Sequence, residues 1–335
     1  MKVYEFRQFG MENLVAGERP EPKPGAGEVT VRFHAASLNF RDVMFARGVY
    51  NPRAKFPAVP LSDGAGEVVE VGPGVTRWRV GDRLCPIFMQ GWIEGPATAE
   101  KNKTSLGGGG EYDGVLRERG VFREEALVRI PEGLSYEEAA TLPCAAVTAW
   151  HALSIFGKVQ PGETVLTMGT GGVSMFALQF AKAAGARVIA TSSDDAKLAR
   201  VREMGADETL NYKTTPDWEK EVMRLTGGVG VDHVVEIGGA GTLNKSVASA
   251  RVGGKVALIG VLTEGAFNPI AVLMKSVSLQ GIFVGSREMF EGMNRAIGVN
   301  KIKPVIDRVF GFDEVRGALE YMASGRHFGK IVIRY

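Results

Sequence analysis

The chain has 335 residues, a formal net charge of +2, and 45% hydrophobic against 23% charged residues. That length exceeds one ordinary core and predicts two domains, while the near-balanced charge excludes nucleic acid or an anionic membrane as the main partner. Only two cysteines, Cys85 and Cys144, are present, which excludes a disulfide framework and fits a reducing compartment. The opening MKVYEFRQFG lacks the apolar core of a secretory signal. No run of about 18 uncharged apolar residues exists to span a bilayer. A soluble, cytoplasmic protein is expected.

Up to about residue 130, short β-type runs are broken by Gly, Pro and Asp: EVTVRFHAA, GAGEVVEVGPG and GDRLCPIF. Such spacing predicts a compact antiparallel, barrel-like domain, interrupted by one helix over FRDVMFARG. The segment 89–114 is long, polar and irregular, with four glycines at 107–110, and is expected to be either mobile or part of a cleft wall, the mobile reading being favoured. From about residue 160 the texture changes. ETVLTM, ARVIAT, ETLNY, VDHVVEIG, GKVALIGV and VSLQGIFVG read as strands. VSMFALQFAKAAG and DDAKLARVREMG read as helices, the second with Asp194 as N-cap and Gly205 just past its end. Strands alternating with helices predict an α/β, doubly wound parallel sheet.

The turn MGTGGVS, 168–174, follows a strand and opens a helix, the context in which a glycine-rich turn binds a dinucleotide. Gly169 permits the tight turn, Gly171 and Gly172 let backbone approach a pyrophosphate, and the helix beginning near Val173 supplies unsatisfied N–H groups. The third glycine position holds Ser174, which needs only to be small.

The end of the next strand indicates which cofactor. An NAD-preferring site places Asp or Glu there, about 20 residues on, to hold the ribose 2′-hydroxyl. Here Ser192 stands, followed by Ser193, with Lys197 one turn into the next helix and Tyr212 ending the third strand. These residues favour NADP(H) over NAD(H), with Asp194 and Asp195 weighing the other way. The alternative is that the serines only start the helix and Lys197 is a solvated charge. Parallel-strand ends line a cofactor crevice, so Ile237, Gly238, Ile259, Gly260, Phe283 and Val284 are expected contacts, with Lys330 of GKIVI in reach.

Six segments in this order and spacing, ASLNFRDVMFARGVY, PLSDGAGEVVEVGPGV, GDRLCP, TLPCAAVTAWHAL, VLTMGTGGVS and GRHFGKIVIR, carry a wider resemblance. Over nearly its whole length the chain resembles the medium-chain dehydrogenase/reductase superfamily, and within it the zinc-free quinone-oxidoreductase-like branch. The resemblance implies a GroES-like β-barrel catalytic domain from residues 1–130 and 285–335 around a Rossmann domain at 131–284. It also implies a homodimer or homotetramer. Asn39 and Tyr50 would lie beside the substrate and Thr148 near the nicotinamide ribose, while Asn39 may alternatively only cap the following helix and Asp42 hold it.

Zinc-dependent relatives carry Cys at the place of Asn39, His-Glu at Ser62-Asp63, and Cys at Cys144. A catalytic zinc needs about three N, S or O ligands, and an amide and a hydroxyl leave Cys144 without partners, so no metal is expected. The chemistry expected is hydride transfer from NADPH to a quinone or to the β-carbon of an α,β-unsaturated carbonyl. A zinc-free alcohol or aldehyde dehydrogenase and a non-catalytic NADPH-binding module are the alternatives. The expected partner is a small carbonyl or quinone molecule, with no nucleic acid and no membrane.

Overall fold

A long, largely buried strand over residues 28–37 organises the first sheet: Val29, Val31 and Phe33 share one buried face, while Arg32 on the other face is exposed. The computed structural model describes all 335 residues, in two compact units. The first unit comprises Met1–Val147 and Gly285–Tyr335, the second Thr148–Val284. Strands β1 (Lys2–Phe6) and β2 (Leu14–Glu18) pair antiparallel. They are followed by β3 (Glu28–Ser37), β4 (Asp63–Val71), β5 (Arg83–Pro86), β6 (Arg119–Arg123) and β7 (Leu127–Arg129). The one expected helix runs over Phe40–Ala46.

The segment 89–114 is packed rather than loose. Met89 bridges to Ser105, Gln90 N donates to Thr104 O at 3.0 Å, and Gly114 N donates to Val59 O at 2.8 Å. Leu106 and the glycines 107–109 are buried. The glycines let the backbone fit against its neighbours here instead of loosening it. The first unit also continues to Val147 instead of ending at 130. The reason is local: Cys85 Sγ donates to Ala139 O, and Cys144 N donates to Asp63 Oδ2 at 3.1 Å, which ties this stretch to β5 and β4.

The second unit contains β8 (Thr164–Met168), β9 (Arg187–Ser192), β10 (Glu208–Asn211), β11 (Val231–Glu236), β12 (Ala250–Leu258) and β13 (Ser278–Gly281). All pair parallel in the order β10-β9-β8-β11-β12-β13. The strand order reverses between β8 and β11, the doubly wound arrangement of a dinucleotide-binding sheet. The last strand is shorter than VSLQGIFVG suggests. The chain leaves the sheet after Gly281, and Val284 takes a left-handed φ of 57°, so Phe283 and Val284 lie in the exit rather than on the strand.

The chain then returns to the first unit and adds β14 (Ile306–Gly311) and β15 (Lys330–Arg334). The main sheet there runs β14-β15-β3-β4-β5-β7, with β6 also on β3. Its register positions the site. Ser37, ending β3, pairs with Asp63 at the start of β4 and with Val332 of β15. Residues separated by most of the chain therefore meet at one end of one sheet. No helix is long and apolar enough to cross a membrane.

Candidate active site

In the second unit, Gly169 adopts φ 69°, a conformation that costs a side chain, and its N–H donates to Thr191 O at 2.7 Å. The helix starts at Gly172, with Gly171 extended before it, and a Cβ at Gly171 would meet nothing within 4 Å. The first N–H groups of that helix, including those of Gly172 and Val173, have no intrahelical acceptor and suit an anion. Ser174 is fully buried, and its hydroxyl donates to Met168 O at 2.5 Å. That bond explains how a polar residue is accommodated where a glycine is usual. A pyrophosphate fits this cradle.

Ser192 is buried at the end of β9, Ser193 is partly exposed, and Tyr212 N donates to Ser192 O at 3.0 Å. Asp194 caps the next helix by accepting from Lys197 N at 3.1 Å, and Asp195 accepts from Asn211 Nδ2 at 2.8 Å. Both carboxylates that weigh against a 2′-phosphate thus have structural partners. Across the sheet, Ile259 N and Gly260 N both donate to Glu236 O, at 2.8 and 3.1 Å. A Cβ on Gly260 would sit 1.6 Å from Ile237 O, so these two strand ends require glycine at that point. Thr148 is buried, and Val284 O accepts from His151 Nδ1 at 2.7 Å. Phe283 is exposed.

The first unit gathers a second set of residues. Lys330 is 2% exposed, and its Nζ donates to Leu38 O and to Asn39 Oδ1, both at 2.6 Å. Expected among the cofactor contacts, it directs its ammonium to Asn39. Asp42 Oδ2 accepts from Asn39 N at 2.8 Å and so closes the start of the helix. Asp63 accepts from Ser62 Oγ at 2.7 Å and from Cys144 N at 3.1 Å. Arg41 donates to Leu106 O at 2.7 Å through one nitrogen, and its guanidinium carbon lies 4.3 Å from the Tyr50 ring centre and 5.0 Å from that of Phe88. Asn39 Nδ2, Arg41 Nε and Nη2, and Asp42 Oδ1 have no hydrogen-bond partner.

Burial dominates the acid–base behaviour of these groups. It raises the Tyr50 phenol against the opposing pull of Arg41, so the hydroxyl keeps its proton at neutral pH. It also raises the Asp63 carboxyl, with Lys330, Ser62 and Asn39 pulling the other way. The Cys144 thiol goes up through burial and then through Asp63.

Comparison with known proteins now bears on these two sets of residues. Residues 25–132 match the family described as alcohol dehydrogenase GroES-like domain, and 172–298 the family described as zinc-binding dehydrogenase. A zinc-type alcohol dehydrogenase-like protein of Schizosaccharomyces pombe is 43% identical over 336 residues, covering 97% of this chain and 96% of that protein. The chain belongs to the medium-chain dehydrogenase/reductase superfamily. Two solved relatives extend the comparison. An NAD-dependent alcohol dehydrogenase is 36% identical with a TM-score of 0.92, over 100% of both chains. The quinone oxidoreductase of Pseudomonas syringae pv. tomato DC3000 is 28% identical with a TM-score of 0.83, over 100% of this chain and 99% of that one. This member of the superfamily is therefore an oxidoreductase that uses a nicotinamide cofactor, built from a GroES-like unit and a Rossmann-type unit.

The description of one matched family and the name of the S. pombe relative carry zinc, and the residues present in this chain do not fit that metal. Asn39 Oδ1 is engaged by an ammonium, and Ser62 and Asp63 bond each other, which leaves Cys144 a lone thiol where zinc takes about three ligands. No group of three His, Cys, Asp or Glu side chains is placed to hold an ion.

Sequence reading proposed Asn39, Tyr50, Lys330 and the glycine turn as site residues and did not single out Arg41 or Glu236, which the structure places beside them. The fully buried Glu236 accepts from Gly238 N at 2.6 Å, Gly239 N at 3.0 Å and Thr242 Oγ1 at 2.7 Å, and from Ser246 Oγ. It shapes the strand exit that carries Ile237 and Gly238. The signal was a carboxylate ending an apolar strand directly before IGG, with hydroxyls six and ten residues on.

Burial pushes the Asp42 carboxyl from its ordinary 3.8 up to about 6, with Arg41 partly opposing. The folded state holds this proton more tightly than the unfolded chain. Asp42 therefore contributes stability that is present below its unfolded pKa and is lost as pH rises through about 6. Relative to wild type, Asp42→Asn should gain about 2 kcal/mol between pH 4 and pH 7 in denaturant unfolding. A stability difference that stays flat across that range would contradict the assignment.

Proposed function

We propose that this protein is a zinc-independent, NADPH-dependent reductase of quinones or of α,β-unsaturated carbonyl compounds. The observation that carries the reading is the Asn39–Lys330 contact. It spends the polar groups at that end of the sheet on an internal cation and leaves Asn39 Nδ2 as a donor. The nicotinamide supplies a hydride when bound. The residues of this chain do the rest. The glycine turn and the helix from Gly172 hold the pyrophosphate, while Ser192, Ser193, Lys197 and Tyr212 accommodate a 2′-phosphate. Asn39 Nδ2 donates to the substrate oxygen as it gains negative charge, a contact of the kind that contributes ~10²–10³ in rate. Tyr50, kept protonated by burial, holds the proton that the reduced product takes up.

An electrophile that accepts hydride without a Lewis acid suits such donors, which favours a quinone or an activated alkene. The quinone oxidoreductase relative supports this class. The names of the S. pombe protein and of the NAD-dependent relative favour a second reading, a metal-free alcohol or aldehyde dehydrogenase. One experiment separates them. Quinones, enones, enoyl thioesters, aldehydes and alcohols are assayed with NADPH and NADH, in wild type and in Lys197→Ala. Reduction of quinones or alkenes with NADPH preferred is expected. Lys197→Ala should lose about 1.5–3 kcal/mol of NADPH binding and little of NADH. Turnover of alcohols and aldehydes alone would decide for the dehydrogenase, and no turnover at all for a binding module.

A homodimer belongs to the same reading. The strand β13 pairs only with β12, so its outer edge is open, and Leu273 and Met274 before it are 75% and 74% exposed. A second copy related by a two-fold axis would pair that edge with itself and cover the apolar side chains. Sedimentation at micromolar concentration should show a dimer or a tetramer, and Leu273→Glu with Met274→Glu should shift it to monomer. A wild-type monomer would refute the assembly.

A further inference from the structure

The superfamily's zinc does not fit this chain, which leaves the question of what balances the buried carboxylates at the same place. Lys330 answers it. Its side chain runs inward from the first residue of β15 and ends on Leu38 O and Asn39 Oδ1, 2.6 Å from each. Asp63 faces the same ammonium from the start of β4, held from its other sides by Ser62 Oγ and Cys144 N. The ammonium thus touches Asn39, and its charge lowers the cost of the Asp63 carboxylate, to which Ser62 Oγ and Cys144 N are bonded. Those are the positions whose side chains would have to hold a metal ion.

We propose that the Lys330 ammonium is the built-in cation of this site, occupying the position of a metal ion, and that its presence bars metal from binding. A divalent ion placed there would meet a positive charge within bonding distance of the same oxygens. In a buried, low-dielectric setting that repulsion outweighs what an amide and a hydroxyl offer as ligands. The ammonium also fixes which way the Asn39 amide faces. With Oδ1 held by Lys330, Nδ2 is the group of the amide left to donate, so Lys330 acts as a positioning residue for Asn39. This inference rests on the metal-free reading above, which the zinc content of the wild-type protein tests separately.

Cobalt(II) provides the direct test, because a thiolate–cobalt bond gives an absorption band that needs no activity to read. Asn39→Cys with Ser62→His restores a thiolate and an imidazole beside the native Cys144. The double variant is compared with a triple variant that also carries Lys330→Ala, both titrated with cobalt(II). The triple variant should bind one cobalt per chain at least tenfold more tightly than the double. Equal binding in the two, or binding in neither, would overturn the proposal.

A second measurement does not depend on those ligand changes. Lys330→Met, Asp63→Asn and their combination are unfolded in denaturant as a double-mutant cycle. The losses should be non-additive by at least tenfold in the unfolding constant, because removing either charge alone strands the other. Additive losses would mean that Lys330 does not neutralise Asp63, and would defeat the proposal on that ground.

Discussion

Arg41, Asp42, Asp63 and Lys330 are all buried at one end of the main sheet, and they can stay charged there only by neutralising one another. An unpaired charge in such a place costs about 3–5 kcal/mol when its partner is removed. The register of β3 makes the arrangement possible. Ser37 pairs with both Asp63 and Val332, so the ends of β3, β4 and β15 lie side by side. The 89–114 segment completes it, since Leu106 O is the acceptor that holds Arg41. A strand pairing, a packed loop and a charge balance thus depend on one another, and each constrains what the site can bind.

Two buried clusters, one in each unit, satisfy their polar groups to different degrees. In the Rossmann-type unit, Glu236 is saturated by two backbone N–H groups and two hydroxyls, and it acts as a fixed brace for the strand exit. In the GroES-like unit, Asn39 Nδ2, two nitrogens of Arg41 and Asp42 Oδ1 remain without partners. Buried polar atoms are nearly always satisfied in folded proteins, so a concentration of unmet ones marks a place kept for something else. In the proposed function, the Glu236 cluster braces the cofactor side and the Asn39 cluster meets the substrate.

Local pattern made much of this legible in the sequence. Apolar runs and helix signals located β8 to β12 and the helices at Gly172–Ala183 and Asp195–Glu203, because their burial follows short-range periodicity. Gly169 and Ser192 could be placed because a dinucleotide turn fixes its own spacing. What escaped was long-range or cooperative. Lys330 and Asn39 are 291 positions apart, and nothing local tells that the lysine turns inward. Four glycines in a row read as a loose loop, whereas in the fold Gly107, Gly108 and Gly109 lie close against Leu61, Arg41 and Phe45. The end of the last strand was missed because Val284 is a β-former forced into a left-handed turn.

The proposed function depends on a site that works with an internal cation instead of a metal. Elemental analysis of the purified wild-type protein, paired with activity before and after dialysis against a strong chelator, tests that most directly. The account predicts no stoichiometric zinc and the same activity on either side of the dialysis. One zinc per chain, with activity lost on its removal, would contradict it.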